Sequence, residues 1–282
     1  MVKGIVIKST GSWFTVKSEN SAIIECRIKG KFRIQGIKST NPVAVGDYVV
    51  YELEQDGTGI INELIPRKNF IVRKATKLSK QTHIIAANMD QAALIISIVH
   101  PKTPLGFIDR FLATAEAYNI PVVLVFNKID LCTDKVSENM EYLTAVYQAM
   151  DYQCLHVSAT EKTNTELFKK TLLNKTTLLA GQSGSGKSSL INAVEPALNL
   201  KTTTVSARTE KGKHTTTFAE MFDLSFGGHI IDTPGVRSFG VVDFDKNLLS
   251  HYFREIFEIG KECKYANCNH INEPNCAVKV AL

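Results

Sequence analysis

Two short stretches hold residues whose types and spacing suit nucleotide chemistry. The run 181-GQSGSGKSS-189 matches GxxxxGK[ST] from Gly181 to Ser188, with an apolar run before it and a helix-like run after it. In such a loop the backbone N–H groups of Gly181, Gln182, Ser183, Gly184, Ser185, Gly186, Lys187, Ser188 and Ser189 turn inward around phosphate oxygens, and the following helix presents its N-terminus to the same anion. Lys187 reaches the β- and γ-phosphates and Ser188 ligates Mg²⁺. The second stretch is 127-NKID-130, which ends the apolar run 122-VVLVF-126. Asp130 can accept hydrogen bonds from guanine N1–H and its exocyclic amine, Asn127 can contact N7, and the stem of Lys128 can pack on the base. Adenine offers an acceptor where the carboxylate needs a donor, so the pocket discriminates against ATP.

Two further pieces fit the same site. Asp232 in 232-DTPG-235 follows two isoleucines; it is placed like a strand-end carboxylate for Mg²⁺, with the Gly235 N–H available to the γ-phosphate. Ser158-Ala159 closes 154-CLHVS-158 and can offer a backbone N–H to guanine O6. The order is unusual, because the base-reading tetrad precedes the phosphate loop. Circular rearrangement is tolerated where termini and loops lie at the surface, so these motifs read as one permuted GTP site. Val236 stands where a water-orienting glutamine is common in small GTPases, which closes that route to hydrolysis. His214, beside 215-TTT-217, is the candidate to position water; its competing role is to tie down a switch loop. Thr216 is the candidate to sense Mg²⁺ and the γ-phosphate, with Thr215 and Thr217 too close in sequence for spacing alone to exclude.

A third constellation closes the chain. Cys263, Cys268, His270 and Cys276 form C-x₄-C-x-H-x₅-C. Three thiolates and one imidazole suit tetrahedral, structural Zn²⁺ and leave no position for catalytic water. The remaining cysteines, Cys26, Cys132 and Cys154, are isolated in or near apolar stretches and read as free thiols. This usage suits a reducing, cytoplasmic setting.

The elements around these motifs divide the chain. Residues 1–66 carry five short strand-like runs separated by turn residues, the size of an oligonucleotide-binding β-barrel (OB-fold). Residues 67–83 read as a basic linker. Strand-like and helix-like runs alternate over 84–240, predicting a parallel α/β GTPase domain. Residues 241–282 form a small helical zinc module. The 282-residue chain is 44% hydrophobic with a net charge of +5 and has no apolar run long enough to span a membrane. RNA-facing candidates are Lys29, Lys31, Arg33 and Lys38 in the barrel and Arg67, Lys68, Arg73 and Lys74 in the basic run, where cations suit backbone phosphates. Trp13 and Phe32 can stack on bases, though core packing is the more ordinary role for each.

Together, 109-DRFLATAEA-117, 127-NKIDL-131, 181-GQSGSGKSSLIN-192, 212-GKHTTT-217, 232-DTPGVRSFG-240 and 262-ECKYANCNHINEPNCAVK-279 resemble the ribosome small subunit-dependent GTPase A family of circularly permuted GTPases. The resemblance spans nearly the whole chain. It implies the three domains above, a late role in maturation of the small (30S) ribosomal subunit, binding to its rRNA, and hydrolysis of GTP to GDP stimulated by that subunit. Two differences stand out: Ser185 occupies a position where many members carry valine, and many members continue with a helical tail beyond 277-AVKVAL-282. The competing class of function is an RNA-binding assembly module that keeps GTP as a structural cofactor. Nothing in the sequence calls for a dimer.

Overall fold

The computed structural model describes residues 1–28, 42–74, 82–202, 219–233 and 246–281. Lys29, Lys31, Arg33, Lys38, Phe32, His214, Thr216 and Gly235 lie outside them.

Five strands close the N-terminal barrel: β1 (Val2–Ser9), β2 (Phe14–Ser18), β3 (Ile23–Ile28), β4 (Tyr48–Leu53) and β5 (Gly59–Leu64). Their order is β1-β2-β3-β5-β4, and β4 pairs back onto β1, which removes the sheet edges. Alternation along the strands turns Val6, Phe14, Val16, Cys26, Val49, Tyr51 and Ile61 into a common interior. Trp13 differs from the core role: it is 41% exposed, with the Arg27 guanidinium 6.0 Å from its ring centroid.

The segment expected as a basic linker instead carries a two-stranded antiparallel ribbon, β6 (Phe70–Lys74) with β7 (Thr82–Ala87). Phe70, Ile71 and Val72 supplied the strand signal that the charge run obscured. Arg73 and Lys74 lie on β6 in register with His83 and Thr82. Arg67 is not the RNA-facing cation that the sequence suggested. Its side chain is only 5% exposed and forks onto the fully buried Asp47, with Nε–Oδ1 and Nη2–Oδ2 both at 2.6 Å, and Nη2 also donates to the Pro42 carbonyl. A guanidinium matched in this way to a carboxylate is committed to the fold. Lys68 pairs with Asp90 at 2.5 Å while staying half exposed. The ribbon grips the barrel turn closely: Val45 bridges to Ala86, and the Gly46 carbonyl accepts from Asn88 Nδ2.

The central domain contains β8 (Gln91–Ser97), α1 (Leu105–Ala117), β9 (Val122–Asn127), α2 (Asp134–Ala149), β10 (Gln153–Val157), α3 (Thr165–Leu172), β11 (Thr176–Gly181), α4 (Lys187–Val194), β12 (Glu220–Asp223) and β13 (His229–Asp232). The order is β10-β9-β8-β11-β13-β12, parallel except for the antiparallel β12. Every residue of β8 and β9 is buried, as a sheet covered on both faces requires. Phe107, Phe111, Leu112, Met140 and Leu143 from α1 and α2 cover one face; Phe168, Leu172, Leu190 and Ile191 from α3 and α4 cover the other. The sheet continues into the barrel through the Lys8–Glu220 pairing of β1 with β12.

After a 3₁₀ segment (Lys246–Tyr252), α5 (Arg254–Gly260) and α6 (Ala277–Ala281) flank the cysteine-rich loop. Arg254 fastens this module to the central domain. Its guanidinium lies 4.1 Å from the Tyr152 ring centroid, reaches Glu116 at 2.7 Å, and donates to the Met150 and Asp151 carbonyls. Among the described residues, no helix is long and apolar enough to cross a membrane.

Candidate functional site

Parallel strands bring the scattered motifs together. β9 ends at Asn127, β10 runs into Ser158, β11 ends at Gly181 and β13 ends at Asp232. Because all four run the same way, these residues share the carboxyl edge of the sheet, where open α/β folds bind ligands. β8 sits between β9 and β11, so chain order has no bearing on spatial order.

Asn127 is the junction. It is 3% exposed; its Nδ2 donates to the Ser185 carbonyl at 2.9 Å, and its Oδ1 accepts from the Ala159 N–H at 3.3 Å. One side chain thus ties the NKID strand to the phosphate loop and to the 158–159 turn. The Nδ2 amide carries a second hydrogen, so this tie is compatible with the N7 contact inferred from sequence. The contact explains Gly186: at φ +92°, a Cβ there would stand 2.2 Å from Asn127 Nδ2, so only glycine admits the approach. Asp130 is exposed, and its Oδ1 accepts from Ser158 Oγ at 2.5 Å; Ser158 Oγ in turn accepts from the Glu161 N–H. Lys128 adopts a left-handed conformation and donates to the His100 carbonyl.

In the phosphate loop, α4 begins at Lys187, so Gly186 and Lys187 open a helix N-terminus. Lys187 Nζ donates to the Gly181 carbonyl at 2.7 Å and the Gln182 carbonyl at 3.0 Å. Burial draws its pKa down, and the Asp232 carboxylate counters the shift. Gln182, Ser183 and Gly184 complete the turn, and Ser188 and Ser189 stand in the first turn of α4. Asp232 is 8% exposed at the end of β13. Thr233, which sequence reasoning passed over, is buried beside it with Oγ1 3.5 Å from the Leu179 carbonyl.

The predicted metal ligands also converge. The donor atoms of Cys263, Cys268, His270 and Cys276 all lie within 4.8 Å of one another. Cys263 Sγ is 3.9 Å from Cys276 Sγ and 3.7 Å from His270 Nδ1, and His270 Nδ1 is 3.4 Å from Cys276 Sγ. Bonds of about 2.3 Å in a tetrahedron place sulfurs about 3.8 Å apart, so the donor set fits a four-coordinate metal. In the described part of 246–281, Cys276 and Val278 are the buried residues. So thin a core needs the metal to hold it.

Comparison with known proteins agrees with this geometry. The family description RsgA GTPase matches residues 64–242, and RsgA N-terminal domain matches 3–61. The small ribosomal subunit biogenesis GTPase RsgA of Flavobacterium johnsoniae is 52% identical over 99% of this chain and 87% of its own length. The protein of the same name from Christiangramia forsetii is 53% identical over 100% and 90%. Among solved structures, YjeQ from Thermotoga maritima is similar with a TM-score of 0.78 at 34% identity, covering 99% of this chain and 90% of that one. YloQ, described as a circularly permuted GTPase, gives 0.72 at 31%, covering 100% and 88%. The permuted strand order, the converging nucleotide motifs and these matches lead to one conclusion: the chain belongs to the RsgA family of circularly permuted GTPases.

Proposed function

We propose that this chain binds GTP with Mg²⁺ at the carboxyl edge of the central sheet and hydrolyses it to GDP during late maturation of the small ribosomal subunit, whose rRNA it contacts and which stimulates turnover. The observation that carries the nucleotide assignment is the Asn127 junction, which holds the base-reading strand end against the phosphate loop. Asp130, oriented by Ser158, reads guanine; Lys128 flanks the base; the loop from Gly181 to Ser189 cradles the phosphates, with Lys187 held by the Gly181 and Gln182 carbonyls and a third N–H to give to them. Ser188 and Asp232, together with Thr216, would hold Mg²⁺, which neutralises charge developing on the phosphates. Gly235 and His214 remain assignments from sequence, as the γ-phosphate donor and the residue that positions water. The Cys₃His cluster takes one structural Zn²⁺. The relatives named for small-subunit biogenesis support the ribosomal partner. The protein acts as a monomer in the cytoplasm.

The test is phosphate release from GTP and from ATP, with purified small and large ribosomal subunits added separately. The expected result is GTP-specific turnover raised by the small subunit. Asp130→Ala should lose GTP affinity by about one to two orders of magnitude, the worth of hydrogen bonds to a charged group, without gaining discrimination elsewhere. Equal use of ATP and GTP, or no response to the small subunit, rejects the proposal.

A further inference from the structure

We infer that Lys8 of the barrel is a positioning residue for the nucleotide site: through Glu220 it holds Asp232 in place to take Mg²⁺. The inference rests on the assignment of Asp232 as a Mg²⁺ ligand.

Hard oxygen donors suit that ion, and the Asp232 carboxylate offers them at the end of β13, close enough to the phosphate loop to act on the Lys187 ammonium. Asp232 closes β13 and its register partner Glu220 opens β12, so this end of the hairpin is a pair of strand termini. Termini are where local structure opens most easily. β12 has four residues and is the outermost strand of the central domain's own sheet, paired there with β13 alone. The barrel supplies its second side. β1 meets β12 at the register pair Lys8 with Glu220, and Lys8 Nζ lies 3.2 Å from Glu220 Oε1. At the other end of β12, Lys17 of β2 pairs with Asp223 at 2.5 Å. Both terminal residues of β12 are therefore ion-paired to the barrel.

Register decides what the first pair can do. Lys8, Glu220 and Asp232 are successive partners across three antiparallel strands, so their side chains lie in one row on one face. Direct cross-strand neighbours have Cβ atoms about 4.5–5.5 Å apart, so a displacement of Glu220 passes to Asp232 across a single strand spacing. Two carboxylates side by side also repel each other, and the Lys8 ammonium offsets that repulsion at Glu220. The Lys8 and Glu220 side chains are 42% and 33% exposed, so the pair adds little to overall stability. Its effect is local, at the row that ends in the metal ligand.

The test uses the full chain as Lys8→Glu, as Glu220→Lys and with both changes together, beside Asp232→Asn. Binding of a fluorescent, non-hydrolysable GTP analogue is followed while Mg²⁺ is varied, and thermal midpoints are recorded without nucleotide. Each single reversal should raise the Mg²⁺ concentration that half-maximally enhances binding by about two- to five-fold, the worth of a cross-strand charge pair. The double variant restores the pair in reversed order and should recover most of the loss. Charge acting alone would give shifts of opposite sign, since Lys8→Glu adds negative charge near the cation and Glu220→Lys adds positive charge. Opposite shifts, no shift, or a double variant as weak as the single ones overturns the inference, as does a Mg²⁺ effect that only follows a lowered thermal midpoint. If Asp232→Asn leaves the Mg²⁺ requirement unchanged, the ligand assignment itself falls and takes the inference with it.

Discussion

Arg67 separates an RNA-binding reading of the basic run from a structural one. The perturbation is Arg67→Met, which keeps an aliphatic stem and removes the fork. It strands the Asp47 carboxylate, 0% exposed, with the Ala44 N–H at 2.7 Å as its remaining partner in the turn. Removing one member of a buried pair costs about 3–5 kcal/mol, because the other charge stays behind. With a urea m-value of about 1–3 kcal/mol/M, the unfolding midpoint should fall by at least about 1 M. The loss should depend on pH. Burial pushes the Asp47 pKa above its ordinary value while Arg67 pulls it down; without Arg67 it rises further, and the folded protein binds a proton that the unfolded chain releases. Stability of the variant therefore declines as pH rises from the ordinary carboxylate range to the raised folded pKa, and the deficit against wild type is largest at neutral pH. Asp47→Ala/Arg67→Met should cost less than Arg67→Met alone. Urea denaturation followed by circular dichroism from pH 4 to 8 checks these points. A loss below about 1 kcal/mol, accompanied by weakened small-subunit binding, would refute the reasoning and return Arg67 to the RNA surface.

Three further outcomes are expected. Gly46→Ala should disrupt the joint between barrel and ribbon, since Gly46 has φ +90° and a Cβ would stand 2.1 Å from the Ala87 carbonyl; loss of soluble folded protein or a midpoint lowered by more than about 2 kcal/mol checks this. Metal analysis should find one zinc per chain, and a strong chelator or Cys276→Ser should make residues 246–281 protease-sensitive while GTP binding persists. Cys26 and Cys154, whose thiols burial pushes up to about 11, should resist alkylation at pH 7.5 in the native protein and react on denaturation, as mass spectrometry would report.

The motifs themselves were legible in the chain because each needs particular residue types at fixed local spacing. Lys187 must follow the glycine turn, and the three cysteines and His270 must fit one small loop. Strand alternation likewise marked the barrel, and the apolar runs ending at Asn127 and Gly181 marked the parallel sheet. Charge was a poor guide: Arg67 and Lys68 looked alike, but a carboxylate 20 residues upstream buried one, while the other stayed half exposed. Arg254 gave no signal, since its partners Glu116, Met150, Asp151 and Tyr152 lie more than 100 residues away.

Sequence alone determined which chemistry this protein carries, because phosphate, guanine and metal recognition each depend on short runs of backbone and side-chain donors. Tertiary structure decided how those pieces act together. Asn127 became a strut between two loops and Arg67 a clamp. Each of these roles is a contact between segments far apart in the chain, and it exists only once the sheet has fixed their separation and excluded water.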